Sequence, residues 1–368
     1  MPLAPCVRFV KPMRMRLAGI VALLSVYVLS LTMTVRANSN ALLIELPNGV
    51  LPTAVSANGT IVGALETGGG FYWMPTTGDI FVGGKAAVAL SRDGRTIVGT
   101  GLDPRSIEQA GIWQRAAEWR LLGSIASNAA PCDTLLSSSY GTSATGNVIV
   151  GLAWNGCTVA RAFRWEASTG MVDLGSTVAG RSSRANGVSG DGKVVVGFQD
   201  HATGFRQGAR WTDGRQELFT GPSGLVGQAN EANMDGSIVV GQVCRPISQE
   251  NPFDQSAWIW TARDGLQCLP IPQTRPNYIG IAFATSDDGH VIGGAHSFGL
   301  DSDAVLWIDR VPSYVKDYLR SHGVPAAFDG WINTGYLTAV SPDGRLLVGY
   351  GAGPRDFKGY LIILGDTP

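Results

Sequence analysis

The chain has 368 residues, 45% hydrophobic and 15% charged, a balance that suits a packed globular protein and argues against disorder. The formal net charge is −1 and no basic block occurs, so nucleic acid is not expected as a partner. The 49 glycines point to many turns.

The N-terminus reads as an export signal. Arg8, Lys11, Arg14 and Arg16 form a basic region, and an uncharged apolar run follows from Leu17 to Val35. Val35-Arg36-Ala37 offers small residues at the two positions a signal peptidase reads, so cleavage is expected after Ala37. The apolar run is also nearly long enough to span a bilayer, and an uncleaved anchor stays open as the alternative. Any membrane contact would be through this segment. Residues 1–37 are thus expected to be a signal peptide and 38–368 one domain that is secreted, periplasmic or at the cell surface.

A short pattern then recurs seven times: VSANGTIVG (55–63), LSRDGRTIVG (90–99), TSATGNVIVG (142–151), VSGDGKVVVG (188–197), ANMDGSIVVG (232–241), TSDDGHVIG (285–293) and VSPDGRLLVG (340–349). Asp-Gly or its equivalent supplies a tight turn, and the Val- and Ile-rich run favours the strand after it. A serine stands before the turn in six copies and is expected to bond the turn backbone. The closing glycines are Gly63, Gly99, Gly151, Gly197, Gly241, Gly293 and Gly349, at a period in the range of propeller blades.

A second signature follows each copy, a small residue, two variable residues and Trp: GFYW (70–73), AGIW (110–113), AFRW (162–165), GARW (208–211), AWIW (257–260) and AVLW (304–307). The seventh, GYLI (359–362), loses the Trp. A further apolar strand comes after most of them, as in GMVDL (170–174). Each unit therefore reads as four antiparallel strands, a to d, and seven such units predict an all-β, seven-bladed β-propeller. The chain ends on a strand c, and ALLIEL (41–46) looks like a strand d without its blade. The N-terminal strand is expected to close the ring and remove its open edges.

One segment departs from the pattern. In VPSYVKDYLRSHG (311–323), Val311, Tyr314, Val315, Tyr318 and Leu319 share one helical face, with Pro312 near the start and Gly323 past the end. A short helix is predicted over 311–323. Beyond residue 37 the cysteines are Cys132, Cys157, Cys244 and Cys268. Four cysteines allow three pairings; an exported chain favours disulfides, and the two local bridges Cys132–Cys157 and Cys244–Cys268 are expected.

RAFRWEASTGMVDLG (161–175) followed by SRANGVSGDGKVVVGF (183–198) resembles the bacterial extracellular HAF-repeat proteins, whose strand-c motif is His-Ala-Phe. Here Arg161 stands at the first position, and His occurs there in no copy. The closing unit, with Gly330-Trp331 and SPDGRLLVGYG (341–351), is similar to theirs as well. The resemblance covers roughly residues 41–364. It implies export and a propeller-like array, and it brings no catalytic residue set.

Motifs for chemistry are mostly missing. His201, His290, His296 and His322 contain no metalloprotease pair, and His290 and His296 read as loop residues facing solvent. GVSGD (187–191) fails as a nucleophile elbow at its last position. No phosphate loop or dinucleotide fingerprint occurs, and Asp287-Asp288 lacks a calcium-loop pattern. No cofactor, metal or catalytic set is expected.

What varies among the copies is more informative. Four positions before the turn Asp, strand a carries Ala54, Ala89, Gly141, Gly187, Glu231, Ala284 and Ala339. One position earlier it carries Thr53, Val88, Tyr140, Asn186, Asn230, Phe283 and Thr338. Strand a lines a propeller's channel, so Tyr140, Arg184, Asn186, Asn230, Glu231 and Tyr336 are the candidates for a ligand site at one mouth. The bland alternative is that they fill a tapered, watered channel. Arg184 is the expected partner of Glu231. Two functions follow: a monomeric binding protein for an extracellular glycan or protein, or a propeller lyase or glycoside hydrolase acting on an extracellular polymer.

Overall fold

The computed structural model describes residues 41–365, except 75, 115–117, 222–223, 246–255, 274, 276 and 300. The expected signal segment, 1–37, lies outside the described residues. The chain forms seven four-stranded antiparallel sheets, a seven-bladed β-propeller. Blade four is representative: Ser183–Val188, Val194–Asp200, Arg206–Thr212 and Arg215–Leu218, paired in that order.

The Asp-Gly turns form as their residues require. In blade four the Ser189 hydroxyl donates to Asp191 at 2.7 Å and accepts from the Val194 N–H at 3.0 Å. Gly192 takes φ 80°, a conformation that costs glycine nothing. The same pair of serine bonds recurs at Ser91, Ser286 and Ser341. In blade five Asn233 replaces serine, and its side-chain oxygen accepts from Ile238. The hydroxyl–carboxylate bond holds the turn Asp below its ordinary range in several blades, Asp93 among them.

Blades pack through the apolar faces of strands b and c. Trp211 and Trp307 are almost fully buried and contribute large aromatic area between sheets. Ring closure follows the sequence reading: Leu42–Asn48 pairs antiparallel with Phe357–Ile363, completing blade seven. Leu46 is buried against Val55, Ile61 and Phe71 of blade one, while Trp331 Nε1 donates to Glu45 at 3.0 Å. The first strand thus belongs to one blade by hydrogen bonds and to the next by packing.

Two sequence expectations are corrected. The helix spans Val315–Ser321, not 311–323, because Val311–Tyr314 is strand d of blade six. Pro312 is tolerated there because the fourth strand is an edge and needs no inner N–H. Val315 and Leu319 bury the helix against Phe328, Trp331 and Tyr360, whose rings meet edge to face. The closing glycine of the sixth copy is Gly294, which pairs with Ala282; Gly293 occupies the place that valine holds elsewhere. The two expected disulfides are present, Cys132–Cys157 in blade three and Cys244–Cys268 in blade five.

Candidate functional site

Strand a carries a β-bulge in all seven blades, and the extra residue is Thr53, Val88, Tyr140, Asn186, Asn230, Phe283 or Thr338. The closing glycine explains why it recurs. A Cβ on Gly197 would stand 2.0 Å from the Arg184 carbonyl oxygen, and one on Gly151 the same distance from Ser138. Only glycine lets strand b approach so closely, and the bulge turns the extra side chain toward the axis. An axial cavity of about 260 Å³ results, lined by these bulged residues and the small residues that follow them.

Several bulged side chains are framework. Thr53 donates to Ala87 O at 3.2 Å, Asn186 to Ala229 O at 2.7 Å, Asn230 to Ala282 O at 2.8 Å and Thr338 to Pro52 O at 2.9 Å. Each bond runs to the next blade, so these residues clasp the ring from inside. Val88, Tyr140 and Phe283 have no amide or aliphatic hydroxyl and leave apolar or aromatic surface in the cavity.

One mouth of the cavity is ringed by the Asp-Gly turns. Backbone bonds pass from blade to blade: Ala57 N to Arg92 O, Arg92 N to Ala144 O, Ala144 N to Gly190 O and Asp287 N to Pro342 O. Asn233 supplies the link to Asp287 O through its side chain. Pro342 has no N–H to pass on to blade one. Above this ring the Arg92 guanidinium of blade two pairs with the Asp287 carboxylate of blade six at 2.8 Å. Those blades lie across the ring from each other, so the pair bridges the mouth.

Glu231 lines the cavity near that bridge, and Thr285 N–H donates to its carboxylate at 2.9 Å. Glu231 is half-buried in the cavity wall. Burial pushes its pKa up to about 8; the Thr285 bond opposes this, and the Asp287 charge adds to it.

Of the six candidate residues, Tyr140, Asn186, Asn230 and Glu231 line the cavity. Arg184 and Tyr336 stand two residues before the bulge, one tier nearer the other mouth. Arg184 does not pair with Glu231. Its Nε donates to Asn186 Oδ1 at 2.7 Å, and its guanidinium lies over the Tyr140 and Phe198 rings at 4.9 and 5.0 Å. Arginine serves Tyr140 and Asn186 because both are on its own side of the ring, whereas Glu231 turns toward blade six. The Tyr336 hydroxyl donates to Gly299 O at 2.8 Å. It is thus tied to the rim of blade six.

His296 also departs from expectation, being fully buried, with Nδ1 3.1 Å from the Tyr314 hydroxyl. Burial pulls its pKa down to about 4, helped by Arg275 and opposed by Asp303. His290 sits 2.6 Å from Asp309. Sequence reasoning missed Arg92 and Asp287. They vary at the residue between serine and the turn Asp, a signal visible in the aligned copies.

No protein-family model and no curated protein matches the chain. Solved structures do resemble it. The β-propeller domain of the Trilobed protease from Pyrococcus furiosus is 10% identical, with a TM-score of 0.52 over 89% of this chain and 95% of that one. TolB from Acinetobacter baumannii is 14% identical, with a TM-score of 0.44 over 83% of this chain and 70% of that one. The Pyrococcus propeller is described as having an open velcro topology; here the terminal strands pair. These likenesses concern the fold: the chain is similar to propellers of other proteins in architecture, at identities too low to carry an activity.

Proposed function

We propose that the protein is an exported β-propeller, of the HAF-repeat kind, that binds an extracellular glycan or protein at its axial channel. The observation that carries this reading is the axial cavity itself: each blade contributes a bulged residue, and where four of these clasp the ring, Val88, Tyr140 and Phe283 leave apolar and aromatic surface in the cavity beside Glu231. A concave site with a few convergent polar and aromatic groups is where a ligand is best bound. Two disulfides support an oxidising compartment outside the cytoplasm. The test is a glycan and peptide array with the purified protein, repeated with Tyr140→Ala. Loss of the captured ligand in the variant, at unchanged melting temperature, supports the reading. Capture that ignores Tyr140 places binding elsewhere.

One observation favours a second reading, a propeller lyase or glycoside hydrolase. Burial raises the Glu231 pKa to about 8 beside the ion-paired Asp287, and a carboxyl group whose pKa is raised next to a second carboxylate suits general acid chemistry. Glu231→Gln would abolish any polymer cleavage and leave binding in place.

A further inference from the structure

We infer that Arg184 is an anion-binding residue at the mouth opposite the Asp-Gly turns, and that the ligand presents an oxyanion group there, a carboxylate or a sulfate ester. This rests on the axial-binding reading and names the chemistry of its ligand. Arg184 and Arg206 both lie over the single Phe198 ring, at 5.0 and 4.7 Å from its centroid. Among the described residues neither forms an ion pair with a carboxylate. Asp200, opposite Arg206 across the strands, pairs with neither. Other partly buried arginines do have carboxylates: Arg164 with Glu166, Arg210 with Glu217 and Arg275 with Asp303.

A largely enclosed guanidinium with no counter-charge costs free energy in the empty protein. The rings of Tyr140 and Phe198 offset part of that cost through cation–π attraction, and Asn186 accepts from Nε. None of these neutralises the charge. Burial lowers the Arg184 pKa; the Arg206 charge acts the same way and Tyr140 opposes both. Gln228 stands at the same tier of the next blade, and its buried side-chain oxygen has no partner. A planar guanidinium recognises an oxyanion by paired, charge-assisted hydrogen bonds. Arg206, at the exposed end of the same stack, adds field that draws the anion in.

The experiment titrates the full chain with glucuronate, glucose 6-sulfate and glucose at matched ionic strength, following heat of binding and melting temperature. Glucuronate, glucose 6-sulfate or both should bind and raise the melting temperature, with affinity falling as salt rises, while glucose does neither. Which of the two binds tells a carboxylate site from a sulfate site. Arg184→Gln should weaken binding about tenfold or more, and Arg184→Lys should restore only part of it. The ligand-free Arg184→Gln protein should melt at the same temperature or higher, because an uncompensated charge has gone. A variant that melts lower and binds equally well would overturn the inference, as would binding of none of the three sugars. An array ligand held equally by wild type and Arg184→Gln would also overturn it and leave axial binding intact. Arg184-dependent anion binding with no array ligand would support it and tell against the broader reading.

Discussion

The two mouths of the channel are built from the same strands and differ in almost every other respect. At the turn mouth the blades repeat one device, a serine or asparagine with a tight turn, and the turns bond to one another around the axis. At the other mouth the corresponding tier reads Leu51, Ala86, Ser138, Arg184, Gln228, Ile281 and Tyr336, with no two blades alike. Repetition allows polar groups to satisfy each other, because each blade offers the acceptor its neighbour needs. Where the repeat lapses, Gln228 Oε1 is left without a partner and the Arg184 guanidinium without a carboxylate. A ring that spends its regular residues on the frame leaves its irregular ones for recognition.

Substitutions can break this contrast, and the largest effect should come from the frame shared by both mouths. Gly197→Ala drives a Cβ against the Arg184 carbonyl, so a loss of about 3 kcal/mol or more is expected by chemical denaturation. A wild-type midpoint in that variant would mean that the close approach is not required.

Glu231 gives the next largest effect, and it depends on pH. Its native pKa of about 8 lies above its unfolded value near 4.5, so the folded state holds the proton more tightly. Its contribution to stability is full below about pH 4.5 and is lost as pH rises toward 8. Glu231→Gln should therefore gain on wild type over that window, by a few kcal/mol at its upper end. Parallel stability curves for the two proteins from pH 5 to 8 would show that Glu231 is not held neutral.

Smaller effects separate the mouths themselves. Ser189→Ala removes two bonds from one buried turn and should cost about 1–2 kcal/mol, read as a lower urea midpoint at unchanged slope. Arg92→Ala breaks a partly exposed pair and should cost about 1 kcal/mol or less. It should also open the turn mouth, detectable as faster exchange of the Thr285 amide that bonds Glu231.

The fold was legible because it is written seven times. Asp-Gly or its equivalent and the valine-rich run recur in all seven copies and the Trp in six, and the unmatched strand at 41–46 signals closure. Details that depend on a partner strand were less legible. Gly293 matched the copied pattern, yet pairing selects Gly294. The apolar spacing of Val311 and Tyr314 suits a helix as well as an edge strand, and the need of blade six for a fourth strand decides. At the site, Tyr140 and Glu231 stood out as departures from the repeat. Asn186 and Asn230 stood out equally and proved to clasp the next blade, since their acceptors are backbone carbonyls that no side-chain pattern reveals.

Closure by the first strand has a kinetic consequence. Leu42–Asn48 is made early, but its partner Phe357–Ile363 is made almost last. At roughly 5–20 residues per second of synthesis, the first strand waits on the order of tens of seconds for a mate. Until then both ends of the blade array expose unpaired edges, and Leu46 lacks part of its burial. Such long-range pairing is slow even after synthesis, because the loop must close before the contact rewards it. The most vulnerable moment of this molecule is therefore a nearly finished ring, six blades built and the seventh still three strands wide.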